Sequence, residues 1–375
     1  MKQKFSPLLL FILITVLALT GCARAAAQDK TGQVEPQVQE QPVEVAAIAP
    51  PEARTLTAYV GAGQDTTTIN AFLPSTLRVR VGDTVTWKLD ADEIHTVTFL
   101  GGQPQPMLIG PAPGGSPEEA MLTPEAAFPT RLPGAPVETY DGTNYVNSGI
   151  MSKAPAGPDA PPNDTFSLTF EKPGLYSFLC LVHPFMQGVV VVEPATGADV
   201  PSQADIDAQA KAEREPLLAQ VEAVNAAGQT PRSQPGPDGS QLWFVDAGSN
   251  MIGDPRPTSL EFLAKELTIN AGDTVVWTSH EFHTITFDPV PPAPEFIVPV
   301  PQQDGPPFLT LNAEVATPAK PNQIYDPADY YNSGFLSPGT PGGDTWSLTF
   351  EKPGTYKYFC AVHRYLGMEG TIVVK

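Results

Sequence analysis

The chain has 375 residues, with 41 acidic against 21 basic side chains and a formal charge of -20 at pH 7. That length leaves room for two domains, each with its own core, while the acidity argues against a nucleic-acid partner, which needs clustered Lys and Arg. The 43 prolines and 31 glycines argue against a fold of long helices and predict many turns.

Residues 1–21 read as an export signal. Lys2 and Lys4 precede an apolar run from Leu8 to Leu19, broken only by Thr15 and too short to span a bilayer comfortably. Leu19-Thr20-Gly21-Cys22 then resembles the lipobox of bacterial lipoproteins. That resemblance implies that Cys22 becomes the acylated first residue of an exported chain, anchored by lipid to the outer face of a bacterial membrane. Residues 22–53, rich in Ala, Gln, Glu, Pro and Val without periodicity, predict a flexible tether.

From residue 54 the pattern becomes that of strands. Leu77-Arg-Val-Arg-Val81 alternates, Gly82-Asp83 turns, and Thr84-Val-Thr-Trp87 follows. The same text returns later, in the same order. Leu267–Trp277 matches Leu77–Trp87, and His283-Thr-Ile-Thr-Phe287 matches His95-Thr-Val-Thr-Phe99. Tyr330-Tyr-Asn-Ser-Gly334 matches Tyr145-Val-Asn-Ser-Gly149, and Trp346–Gly354 matches Phe166–Gly174. This is a duplication of about 130 residues, far too long a period for a solenoid. We expect an all-β fold with one domain over 54–194 and a second over 241–375.

Residues 195–240 predict a connector. Ser202 with Asp205 three positions on marks a helix start, the Ala/Glu/Gln-rich run to Ala227 suits its body, and Gly228 suits its end. Pro216 is expected to kink or split it. Ile206, Leu217, Leu218, Val221 and Val224 supply a face that can dock on a domain, and Gln229–Gly239 reads as a Pro/Gly linker. Within each repeat a long Pro-rich insertion, 101–164 and 288–344, separates the His-bearing from the Cys-bearing strands.

The chemistry lies in two short stretches. Cys180-Leu-Val-His-Pro-Phe-Met186 and Cys360-Ala-Val-His-Arg-Tyr-Leu-Gly-Met368 each offer a thiol, an imidazole and a thioether just ahead of a β-branched run. His95 and His283 supply a second imidazole at the start of a strand. The eight residues His95, Cys180, His183, Met186, His283, Cys360, His363 and Met368 therefore form two candidate metal sites. Four of the 5 histidines fall at equivalent places in the duplicated frame, which isolated core or surface residues would not do. A thiolate, two imidazoles and a weak thioether suit copper, while zinc favours sets without thioether. A Cys180–Cys360 disulfide is the bland alternative, disfavoured because the two occupy equivalent positions in separate units. His280 has no counterpart in the first repeat and reads as a surface residue.

Both repeats resemble the cupredoxins, the blue copper proteins of the plastocyanin and azurin family. The first loop is similar to that of amicyanin and the second has the plastocyanin spacing. The resemblance implies two Greek-key β-sandwiches joined by the helical connector, each holding one type 1 copper, two per chain. Two His and one Cys would lie in a plane with Met weakly axial. It also implies that His183 and His363 face solvent as the electron exit, with Pro184, Phe185 and Tyr365 in a docking patch. Family members often place Asn after the first His, whereas Thr96 and Thr284 stand here. The expected function is one-electron transfer with redox partner proteins, by a carrier rather than an enzyme. Copper buffering or delivery is the alternative. A copper oxidoreductase is disfavoured because no His-x-His pair and only His280 remain for a further site.

Overall fold

The computed structural model describes residues 52–375 except 113–119, 133, 156–160, 252, 289–293, 321–322 and 341. The expected signal, Cys22 with its expected lipidation and nearly all of the expected tether lie outside the described residues. Among the described residues, no helix is long and apolar enough to cross a membrane.

The alternating runs form strands with one face inward. In Thr76–Arg80, Leu77 and Val79 are buried while Thr76 and Arg78 face out, the period-2 pattern of a half-buried strand. Each repeat builds two facing sheets with the same order. In the first, strands Thr55–Gly63, Thr84–Ala91 and Thr165–Phe170 pair in turn. They face a second sheet of Thr76–Arg80, Gln187–Glu193, Gly174–Leu179, Thr98–Phe99 and Val146–Asn147. In the second, Gln241–Met251, Asp273–Thr278 and Thr345–Phe350 face Glu266–Ile269, Glu369–Val374, Gly354–Phe359, Thr286–Phe287 and Tyr331–Ser333. Sheet neighbours are seldom sequence neighbours, as in Greek-key rather than meander connections.

Trp87 and Trp277, both fully buried, centre the two cores. Trp87 meets Phe99 and Phe178 edge-on at 5.5 and 5.2 Å, and Trp277 meets Phe287 and Tyr358 at 5.9 and 5.3 Å. Such edge-to-face contacts add to the burial of large rings.

The repeats are joined side by side. The strand Thr67–Leu73 pairs antiparallel with Asp254–Leu263 through Ile69–Pro257, Thr68–Thr258 and Thr67–Ser259, merging one sheet of each repeat into a continuous 11-stranded sheet. The helix Gln203–Gly228 lies across this seam. Ser202 caps it by the expected box with Asp205, and Leu217 and Val221 pack with Ile69 and Leu73 in a third apolar cluster. The helix is not split at Pro216, which stands on its exposed side, where solvent can meet the freed carbonyl. The expected linker 229–239 is partly ordered, because Arg232–Pro235 pairs with Gln241–Phe244. The two Pro-rich insertions also meet: Leu309 pairs with Leu122 and Thr310 with Met121, within a four-stranded sheet drawn from both repeats.

Candidate metal centres

Each centre is assembled from two places in the chain. His95 precedes the short strand Thr98–Phe99 and is held by Met151, whose N–H donates to the His95 carbonyl at 2.7 Å. Cys180 follows the strand Gly174–Leu179, and the loop closes when the Cys180 N–H donates to the Met186 carbonyl at 2.9 Å and the Met186 N–H to the His183 carbonyl at 2.8 Å. The second repeat repeats this, with His283 held by Leu336 and Cys360 N–H donating to Met368 at 3.0 Å. Its two extra residues make a 3₁₀ turn, Arg364–Leu366, ended by Gly367 at φ 86. The longer interval is thus a local insertion that leaves Cys, His and Met in the same frame. Cys180 and Cys360 are both free and buried, so no disulfide joins them.

The donor atoms converge. His95 Nδ1 lies 3.2 Å from His183 Nδ1, and each is 3.8 Å from Cys180 Sγ. In the second set His283 Nδ1 and His363 Nδ1 are 3.0 Å apart, and 3.8 and 3.6 Å from Cys360 Sγ. A point about 2.0–2.1 Å from all three atoms exists in each triangle, near the length of metal–nitrogen and metal–thiolate bonds. One proton can bridge the two nitrogens but cannot also satisfy both thiol contacts; one cation satisfies all three donors. Met186 and Met368 are buried in the same core clusters as their cysteines. The residues therefore fit a metal, and of the donor types a soft thiolate with a thioether nearby fits copper.

Threonine replaces the expected asparagine as the brace. Thr96 Oγ1 accepts from the Leu181 N–H at 2.8 Å, and Thr284 Oγ1 from the Ala361 N–H at 2.7 Å. Thr98 spends its single proton on Asn147 Oδ1 at 2.9 Å, so Thr96 donates to Thr98. Asn147 Nδ2 in turn holds the carbonyls of Glu125 and Ala126 in the first insertion, as Asn332 Nδ2 holds Glu314 and Val315 in the second. Ser148 and Ser333 accept from the Val97 and Ile285 N–H groups, both at 2.8 Å. The repeated Tyr-x-Asn-Ser-Gly motif carried this information, and its identity in both copies was the signal to read.

Backbone N–H groups of Thr96 and His183 point at Cys180 Sγ from 3.3 and 3.4 Å, and Thr284 N–H at Cys360 Sγ from 3.4 Å. These donors favour a thiolate. In the first centre burial dominates: it pushes the Cys180 thiol up and, with His183, pulls His95 well below the ordinary imidazole value. In the second, burial opposes ionisation, but His283 and His363 outweigh it and hold Cys360 well below the usual thiol range. His283 is likewise raised to about 9 by Cys360 and Glu281 against its burial. Glu281 marks one difference between the centres. Its Oε2 lies 3.4 Å from His283 Nε2, whereas the equivalent Glu93 accepts from Tyr365 of the other repeat at 3.0 Å. His95 Nε2 is buried with no hydrogen-bond partner among the described residues.

His183 and His363 are both half-buried. His183 and His363 both line one cavity of about 1140 Å³ between the repeats, together with Glu93, Glu281 and the exposed His280. The cause is the sheet seam, which turns the two ligand ends toward each other. Phe185 and Tyr365, 43% and 59% exposed, also line this cavity.

The family model of copper binding proteins, plastocyanin/azurin family, matches residues 251–375. Amicyanin-alpha of Methylorubrum extorquens is 32% identical over 90 residues, 22% of this chain and 76% of that one. Plastocyanin of Scenedesmus fuscus is 31% identical over 119 residues, 31% of this chain and 89% of that one. A solved Cu(I) amicyanin mutant aligns over 37% of this chain and 82% of its own at 24% identity, with a TM-score of 0.20. The all-β sandwiches and paired thiol–imidazole sites are those of a cupredoxin. The chain belongs to the plastocyanin/azurin family of copper-binding proteins.

Proposed function

We propose that the protein is a blue copper electron carrier with two type 1 sites, His95–Cys180–His183–Met186 and His283–Cys360–His363–Met368. The units are read as 54–194 and 241–375, and the chain is held by lipid on Cys22 at the outer face of a bacterial membrane. There it would exchange electrons with redox partner proteins. The observation that carries this reading is the duplicated His–Cys–His triangle.

Bound copper would supply a reversible one-electron couple. The chain's part is to hold its donors in one geometry for both oxidation states. Cys180, Cys360, His95 and His283 are fully buried, which excludes water, and the Thr96 and Thr284 braces fix the loops. Such rigid, dry donors suit electron transfer better than copper delivery, which requires ligands that open.

A redox titration of the copper-loaded protein tests this. The expected result is an intense visible thiolate-to-copper band that bleaches on reduction and returns on oxidation. A colourless copper-loaded protein would contradict it.

A further inference from the structure

The two ligand sets open onto the same space. His183 and Val182 of the first loop and His363 and Val362 of the second line a single cavity. Three features fix that apposition: the strand pairing of Thr67–Ile69 with Pro257–Ser259, the helix that packs on both of these strands, and the Tyr365–Glu93 hydrogen bond linking one ligand loop to the other repeat.

We propose that the two centres exchange electrons directly with each other across this cavity, the second repeat donating to the first. This rests on the two-copper reading above. One electron leaves the reduced centre of the second repeat and arrives at the oxidised centre of the first, by way of His363 and His183. No bond is made or broken, no proton moves, and the total oxidation state of the pair is unchanged. The direction follows from the unequal carboxyl contacts. A carboxyl on the far nitrogen of a ligating imidazole makes that ligand more basic and favours the more highly charged metal. Glu281 Oε2 is so placed for His283, 3.4 Å from Nε2, while Glu93 accepts from Tyr365 and His95 Nε2 has no hydrogen-bond partner among the described residues. The first centre is therefore the better electron acceptor.

The test uses the full chain loaded with Cu(II) at both sites. Pulsed EPR should show dipolar coupling between the two ions, lost in Cys180→Ser and in Cys360→Ser. After flash reduction by less than one electron per chain, the electron should settle mainly on the centre that Cys180→Ser removes. Any resolved redistribution should keep the same rate constant over a tenfold dilution. A two-copper chain without dipolar coupling, or a redistribution whose rate falls tenfold on that dilution, overturns direct exchange. An electron that settles on the second centre overturns the direction. A chain that takes up no copper contradicts the underlying reading instead, so the two failures are distinct.

Discussion

Tyr365 Oη donates to Glu93 Oε2 at 3.0 Å across 272 positions of sequence. Tyr365 follows the candidate ligand His363 by two residues and Glu93 precedes the candidate ligand His95 by two, so one hydrogen bond ties the two candidate centres together. The ring is largely exposed, but desolvation at its hydroxyl end and then Glu93 raise the phenol far above its ordinary value, which keeps it a donor. Tyr365→Phe leaves a buried carboxyl without this partner and should cost about 1–3 kcal/mol in denaturant unfolding. It should also change the visible spectrum of the first centre, which lies in the other repeat. An unchanged first-centre spectrum would count against the coupling.

Thr96→Ala and Thr284→Ala each strip the acceptor from a loop N–H, the buried one of Leu181 or the part-buried one of Ala361. Each should cost about 1–3 kcal/mol and shift the absorption band of its own centre alone. The Thr→Ser variants, which keep the hydroxyl, should restore the band. Failure of serine to rescue would mean that the methyl group, not the hydrogen bond, matters.

Gly61 and Gly248 lie against the far nitrogens of the first ligands. Both have positive φ, 64 and 72, and a Cβ would sit 2.6 Å from His95 Nε2 or 2.2 Å from His283 Nε2. The left-handed backbone alone costs about 1–2 kcal/mol with a side chain, and the imidazole must move as well. Gly61→Ala should lower bound copper from two ions toward one by emptying the first centre, and Gly248→Ala the second. Metal analysis with the remaining visible band reads this out. Two tightly held ions in both variants would refute it.

Asp83 and Asp273 set the acid limit of the fold. Burial would raise each carboxyl, but Arg54 and the Arg80 and Arg54 N–H groups hold Asp83 below the usual carboxylate range. The Asn270 N–H, the Trp243 indole and the Gln241 N–H do the same for Asp273. A carboxyl that binds its proton more weakly in the folded chain adds stability above its unfolded value, about pH 4, and loses it as pH falls through the folded value. Thermal unfolding should therefore drop steeply below about pH 4. Asp83→Asn should be less stable at neutral pH and show a shallower drop; an equally steep drop would remove Asp83 from this role.

Much of the site was legible because it is local or repeated. Cys180, His183 and Met186 sit within one loop, the β-branched runs alternate, and duplication singled out His95 and His283, whose Nδ1 atoms the fold brings to Cys180 and Cys360. The Ser202–Asp205 helix start was legible for the same reason. What escaped is what depends on distant pairing. Nothing in Thr67–Leu73 or Asp254–Leu263 states that these strands pair with each other, since 188 positions separate Ile69 from Pro257. The cavity that His183 and His363 share is lined by Thr68 and Thr258 of that seam, so it was equally invisible. Pro216 suggested a broken helix because local rules omit the packing of Leu217 and Val221 on the sheet. The sequence showed Thr96 where the family often has asparagine, but not its partner, the Leu181 N–H, which lies 85 positions away.

The most direct test of two equivalent copper sites is copper content measured together with the visible spectrum, for the unaltered chain, Cys180→Ser and Cys360→Ser. The account predicts two coppers per chain with an intense thiolate band, and in each variant one copper with only part of that band remaining. Loss of all colour in a single variant, or a fully loaded protein with no such band, would contradict it.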